Sequence, residues 1–379
     1  MTKKSKWELL DAVRPRYQKA GRKEKGMILE QFVAATGYHR KYAIWLLKHG
    51  APEGKKQRRE RGRVYGRDVV APLVMVWEAS GRVCGKRLQP FVKELVEILE
   101  RHGELRLSGE QRRLLCRMSA STIDRALKQE RARYPRRGRS TTRPGSLVKA
   151  TIPIRQVGDW SEQHPGFMEV DLVAHCGASP AGDFLYTLTM IDIYTRWTHL
   201  DILPGKQQLT VRKAIHAARR RLPFHLLGID SDSGGEFINH LLLDYCRDEG
   251  IVFTRSRPYH KNDQAHVEQK NWSVVRQWVG YARYESQAAL ACLRLIYADL
   301  CLLVNFFQPT MKLTAKIRVG SKVRKRYARA RTPYQYLLAS RRVTRAARQR
   351  LGELYQSLNP LDLQRRIDAN LRILCSLAR

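Results

Sequence analysis

Apolar residues recur at helical spacing through the first fifty positions. In "GMILEQFVAATGYHRKYAIWLLKHG" the spacing predicts a helix near Ile28–Ala35, a turn at Thr36-Gly37 and a helix near His39–Lys48. Gly37 supplies the positive φ that a tight interhelical turn needs. His39, Arg40 and Lys41 lead the second helix, ahead of its apolar Ile44, Leu46 and Leu47. A recognition helix carries groups toward a major groove in that position, so residues 1–50 read as a helix-turn-helix; a plain helical hairpin has the same spacing. Residues 51–66 form a polar, basic linker, and a second helical block spans 67–130. That block closes on "LLCRMSASTIDRALKQE", where Ser119 or Ser121 caps a helix running to Lys128, a second helix-turn-helix pattern. Residues 131–158, with Pro135, Pro144 and Pro153, are a long basic connector.

The pattern changes after Phe167. "FMEVDLVAH", "FLYTLTMIDIYT" and "WTHLDIL" are strand-like, rich in β-branched and aromatic residues and separated by turns. A helix follows at about Gln208–Arg221, then the strand "LLGID", the helix "FINHLLLDYCRDEG" and the strand "IVFTR". Two more helices are predicted near Gln264–Val279 and Gln287–Phe306. Five strands and their helices, over 159–310, indicate a mixed α/β layer structure.

Charge sharpens this division. The chain of 379 residues carries 71 Lys and Arg against 35 Asp and Glu, a net of +36. Between Asp159 and Asp299 there are 17 acids and 15 Lys/Arg, whereas the rest holds 18 acids and 56 Lys/Arg. Arg131 to Gly158 and Leu300 to Gly352 contain no acid. A neutral α/β region between strongly basic flanks points to nucleic acid or an anionic membrane as partner. No run reaches the roughly 18 uninterrupted apolar residues of a membrane span, and the N-terminal "MTKKSKWELL" lacks the apolar core of a signal peptide. The seven Cys are scattered, with no C-x-x-C pair, which suits reduced thiols in a cytosol; a cytoplasmic, nucleoid-associated protein is expected.

Three acids stand where the pattern does not predict them. Asp171 lies in the first strand between Val170 and Leu172, where an unpaired charge is costly. Asp232 follows the fourth strand in "IDSDSGGEF", whose glycines let the backbone bend toward a ligand. Glu268, in "YHKNDQAHVEQKNW", falls at the margin of the apolar stripe of its helix. Carboxylates from a strand, a strand end and a helix can converge at one sheet edge, and oxygen ligands without Cys or clustered His favour Mg²⁺ or Mn²⁺. Two such ions about 4 Å apart activate a hydroxyl and stabilise the leaving oxygen of a phosphodiester.

The frame "MEVDL … IDIYTRW … SDSGGEF … RPYHKNDQAHVEQKNW", with 35 residues between Asp232 and Glu268, resembles the catalytic core of retroviral integrases and of the DDE transposases of bacterial insertion sequences. The likeness covers roughly residues 160–310. It implies a ribonuclease H-like fold, with Asp171, Asp232 and Glu268 as metal ligands and catalytic residues holding two Mg²⁺ or Mn²⁺ ions. It also implies hydrolysis at the ends of a mobile element and attack of the freed 3′-OH on target DNA. Double-stranded DNA and a homo-oligomer assembled on it are the implied partners. Around Glu268, Lys261 and Lys270 are expected to neutralise phosphates, and Asn262, Gln264 and Asn271 to hydrogen-bond DNA. Ser233 and Ala265 stand where many members have Asn and Gly, and the paired His and Cys of the retroviral N-terminal zinc domain are absent.

Other acids read as structural. Asp192 is expected to hydrogen-bond at a strand end, Glu236 to be favoured by a helix dipole and Asp263 to cap the Glu268 helix. Asp230 is read as facing away from Asp232 and set aside as a co-ligand. His260 and His266 read as phosphate contacts or packing groups. The basic 311–379 region is expected to bind DNA or mediate assembly, with helices after 340 that dock on the core or pair with another subunit. The composite reading is a DDE transposase; a non-catalytic regulator derived from one, and a metal-dependent nuclease of the same fold, fit the same residues.

Overall fold

The computed structural model describes residues 1–51, 64–134, 164–232, 234–256, 264–319 and 322–379. The chain divides into two compact units, 1–64 and 65–379. The first is three helices, α1 (Lys3–Lys19), α2 (Arg22–Thr36) and α3 (Arg40–His49). They pack around Leu10, Leu29, Phe32, Leu46 and Leu47. Gly37 ends α2 at φ 67°, its N–H donating to the Val33 carbonyl, as a left-handed C-cap requires. His39 caps α3, accepting from the Lys41 N–H at 3.3 Å.

The second unit begins with α4 (Arg67–Ala79), α5 (Gly85–Leu88), α6 (Val92–Arg101), α7 (Gly109–Arg117), α8 (Ala120–Ala126) and α9 (Lys128–Ala132). Ser119 is the residue that caps α8, accepting from the Thr122 N–H at 3.2 Å. Gly85 lets α5 approach α8 closely: a Cβ there would lie 2.2 Å from the Ala120 carbonyl. The strands are β1 (Phe167–Ala174), β2 (Tyr186–Asp192), β3 (Thr198–Leu203), β4 (Gly228–Ser231) and β5 (Val252–Arg255). They form one sheet in the order β3-β2-β1-β4-β5. β2 is antiparallel to both β3 and β1, and β1, β4 and β5 are parallel. That order and sense make a ribonuclease H-like core.

Between strands run α10 (Gln208–Arg221) and α11 (His240–Asp248). They cover one sheet face over Met168, Val170, Leu188, Met190 and Ile229. The other face meets α12 (Ala265–Lys270), a π-helical turn at Asn271–Arg276, α13 (Gln277–Val279) and α14 (Gln287–Leu302), the last continued by a π segment, Leu303–Phe307. Gln287–Phe307 is long and apolar enough to cross a membrane, but Leu290, Leu293, Ile296, Leu300 and Val304 are buried in the core, which accounts for its composition.

The hairpin β6 (Leu313–Val319) and β7 (Lys322–Tyr327) follows, then α15 (Pro333–Ala339), α16 (Arg345–Ser357) and α17 (Pro360–Ser376). α17 packs on α14 and α4, burying Leu361, Leu363, Ile367 and Leu374. Arg82 pairs with Asp368 at 2.8 Å, and Arg365 with Glu104 and Arg366 with Asp299 at 2.7 Å each. The helices after 340 therefore dock on their own chain, in one apolar cluster with α4, α6 and α14.

Candidate active site

Alternation along β1 sends Met168, Val170 and Leu172 into the core under α10 and α11, and so turns Glu169 and Asp171 to the α12 face. Asp171 sits opposite Thr189 of β2. The last β1–β4 pair is Val170 with Ser231, so one further step brings Asp232 level with Asp171. The Asp232 carboxylate folds back to accept the Gly234 N–H at 2.9 Å. A Cβ on Gly234 would meet both Asp232 Oδ1 at 2.9 Å and the Glu236 carboxyl at 2.8 Å, so these two acids flank the glycine.

The electrostatics match that crowding. Burial, then the Asp232 charge, push Asp171 up to about 8, and Glu236 adds to the rise. Hydrogen bonds from the Leu172 N–H at 2.8 Å and from Asn271 Nδ2 at 2.5 Å oppose it. Asn271 lies three residues after Glu268, so the helix side that Asn271 turns to Asp171 is also the side that carries the exposed Glu268.

The start of α12 is fixed from β1. Glu169 Oε2 accepts the N–H groups of His266 at 3.0 Å and Val267 at 2.7 Å, capping the helix from another strand. Burial raises Glu169 to about 8, with the neighbouring Asp230 contributing. Sequence reading missed Glu169; its signal was an acid two residues before Asp171 in an apolar strand.

Asp230 corrects the reading that set it aside as facing away. Residues two apart on a strand share a face, and Asp230 of β4 pairs with Glu169 of β1 on the polar side, where Thr254 Oγ1 donates to it at 2.6 Å. Glu236 also departs from expectation: Asn239 caps α11, and Glu236 instead stands beside Asp232 and within the field of Asp171. Asp192 accepts the Gly166 N–H at 2.8 Å and both the N–H and the hydroxyl of Thr195 at 2.6 Å, a strand-end role.

The residues expected to contact DNA fall into three groups. Lys261 and Asn262 lie outside the described residues, as do His260, Asp263 and Ser233. Gln264, Lys270 and Asn271 turn inward. Gln264 is buried, with Nε2 donating to the Asp230 carbonyl at 3.4 Å, and Asn271 holds Asp171. Lys270 is only 7% exposed; burial, with Arg87 and Arg196 nearby, brings it down to about 7. An ammonium in that setting does not reach a phosphate on the surface. Burial likewise pushes His266 down to about 3, making it a packing group. In the first unit, by contrast, His39, Arg40 and Lys41 are all exposed at the start of α3, beside exposed Tyr42 and Trp45.

Among the described residues no three His, Cys, Asp or Glu side chains stand close enough to share one metal ion. The structure brings Asp171, Asp232 and Glu236 into one another's field and carries Glu268 on the adjoining helix. All-oxygen donors whose charges repel one another suit a hard divalent cation, which would relieve that repulsion.

Residues 161–261 match the family described as integrase core domain. The uncharacterized protein y4rM of Sinorhizobium fredii is 44% identical over 322 residues, which cover 84% of this chain and 91% of that protein. The catalytic core domain of BIV integrase aligns at 18% identity over 46% of this chain and 93% of its own, with a TM-score of 0.28.

Proposed function

Because this chain belongs to the integrase-core superfamily of DDE transposases and integrases, whose members act on DNA in recombination, we propose that it is the transposase of a bacterial insertion sequence. It binds the ends of its element, cleaves a phosphodiester at each and joins the 3′-OH ends to target DNA. The observation that carries this reading is the placement of Asp171 on the central strand, level with Asp232 at the end of the neighbouring strand and tied through Asn271 to the segment that bears Glu268.

Asp171, Asp232 and Glu268 are the proposed ligands of two Mg²⁺ or Mn²⁺ ions. When bound, such ions supply activation of the attacking oxygen and charge neutralisation at the leaving one. The chain's own residues do the positioning. Glu169 fixes the start of α12, the helix that carries Glu268. Asn271 keeps the Asp171 carboxylate oriented through a hydrogen bond that strengthens as the carboxylate ionises. Gln264, Lys270 and Asn271 are assigned these interior roles, whereas Lys261 and Asn262 remain proposed DNA contacts.

End recognition is assigned to 1–50, with His39, Arg40 and Lys41 toward the major groove, and to the helices of 67–130. The basic 51–66 and 131–158 segments join these to the 159–310 core, and 311–379 completes the DNA-holding surface. Concerted joining of two ends requires at least a dimer on the DNA, in a cytoplasmic, nucleoid-associated setting.

The test is a Mg²⁺- or Mn²⁺-dependent cleavage and strand-transfer assay on DNA carrying the gene's own flanks, with wild type and Glu268→Gln. Joined products from wild type alone are the expected result. Cleavage without joining would indicate a nuclease, and tight binding with neither reaction a regulator.

A further inference from the structure

At the end of the sheet away from the carboxylates, a cavity of about 310 Å³ opens between the end of α10, residues 222–226 and the start of α16. Arg219, Arg220, Arg342, Arg350, His216 and His225 line it. Arg219 pairs with Glu249; among the described residues Arg220, Arg342 and Arg350 form no ion pair. Leu222, Phe224 and Leu226 supply apolar lining beside the arginines, surface that their aliphatic stems can cover.

Helix dipoles explain only half of this charge. Arg219, Arg220 and Arg221 occupy the last turn of α10, where cations are favoured. Arg342 precedes α16 and Arg345 opens it, with no acid in its first turn, although that end of a helix disfavours cations. Arg220, Arg342 and Arg350, which line one cavity and form no ion pair among the described residues, are what an anion with several oxygens selects.

The occupant follows from chemistry and place. Leu226 lines the cavity and Asp232 lies six residues further along the β4 direction, a separation of roughly 20 Å in extended chain. An anion held there is therefore not the one at the carboxylate edge. We propose that this pocket is a second phosphate site, which grips the backbone of duplex DNA away from the reacting phosphodiester and holds it without taking part in the chemistry. The proposal rests on the reading of the chain as a protein that acts on DNA.

The test compares two full-length triple variants. One is Arg220→Gln/Arg342→Gln/Arg350→Gln; the other, Lys93→Gln/Lys213→Gln/Arg372→Gln, removes equal charge from exposed sites outside the pocket. Duplex binding is measured against salt concentration, with thermal unfolding to establish that both variants fold. Each phosphate contact contributes about 0.9 to the slope of log K against log salt. The pocket variant is expected to lose about 2 or more of that slope, and the control less than 1. Equal losses in both variants, or none in the pocket variant, would overturn the proposal. So would pocket-dependent binding of polyglutamate with duplex binding unchanged, which would make the partner an acidic protein. Failure of the wild type to bind any duplex would instead sink the DNA-acting reading on which the proposal stands.

Discussion

The two faces of the five-stranded sheet are built on opposite principles. Under α10 and α11, Met168, Val170, Leu188, Met190 and Ile229 meet hydrocarbon with hydrocarbon. Under α12, the same three strands turn Glu169, Asp171, Thr189 and Asp230 inward, with Thr254 of β5 beside them. The first face stabilises by burial, at about 25 cal/mol per Å² of apolar area. The second costs stability, since Glu169 and Asp171 are held where ionisation is unfavourable. A fold retains such a face when the charges have another use, and perturbed acids gathered at one sheet edge are a mark of chemistry.

Substitutions that separate the two faces break this comparison most sharply. Asp171→Asn removes a proposed metal ligand and, with it, a carboxyl group whose ionisation the fold disfavours. Strand transfer should fall by about 10³-fold or more, some 4 kcal/mol of transition-state stabilisation, while the metal-free Tm stays level or rises. A fall in Tm alongside the lost activity would make Asp171 structural. Leu188→Ala, on the apolar face, should do the reverse. It should cost about 2–5 kcal/mol in denaturant unfolding and leave the rate per folded molecule unchanged.

Glu169 sharpens the contrast, because it belongs to the polar face yet is assigned no metal. Glu169→Ala leaves the start of α12 uncapped and should cost about 1–3 kcal/mol, with strand transfer reduced roughly 10–100-fold. Glu169→Gln keeps an acceptor oxygen for the His266 and Val267 N–H groups and should recover most of both. Equal loss in the two variants would show that the carboxylate's charge matters rather than its cap.

The smallest effect is one of pH. Asp171 binds its proton more tightly folded, with its pKa raised from 3.8 to about 8, so its contribution to stability is full below about pH 4 and is lost as pH rises through 8. The Tm advantage of metal-free Asp171→Asn over wild type should therefore widen from pH 6 to pH 8.5. A constant difference across that range would mean that Asp171 is ionised throughout.

The apolar face was the legible one. Runs rich in β-branched and aromatic residues, bounded by turns and alternating later with helices, located the five strands, and apolar spacing located α10, α11, α12 and α14, because burial writes directly into the hydrophobic pattern. Asp171 was noticeable because it interrupts that pattern, whereas Asp232 and Glu268 stood out through the 35-residue spacing and the frame shared with integrase-like cores. What escaped was decided in three dimensions. Helical spacing continues through Asn271–Arg276, so nothing in the sequence announced the π turn that begins at Asn271. Lys270 sits in a polar stretch and reads as solvent-facing, yet it is buried once α12 lies on the sheet. The β6–β7 hairpin went unread because Arg and Lys interrupt the β-branched and aromatic residues of its segments, "LTAKIRV" and "KVRKRY". Arg342 and Arg350 lie far in sequence from Arg219 and Arg220, and only the docking of the C-terminal helices makes them neighbours.

On the proposed function, the polar edge holds a divalent cation through Asp171, Asp232 and Glu268. Thermal unfolding at pH 7 over a Mn²⁺ titration tests it most directly, in wild type, Asp171→Asn, Asp232→Asn, Glu268→Gln and Glu236→Gln. Mn²⁺ should raise the wild-type Tm; the rise should be lost in the first three variants and persist in Glu236→Gln. A rise that survives in Glu268→Gln and disappears in Glu236→Gln would contradict that assignment, moving the third ligand from the α12 helix to the loop after β4.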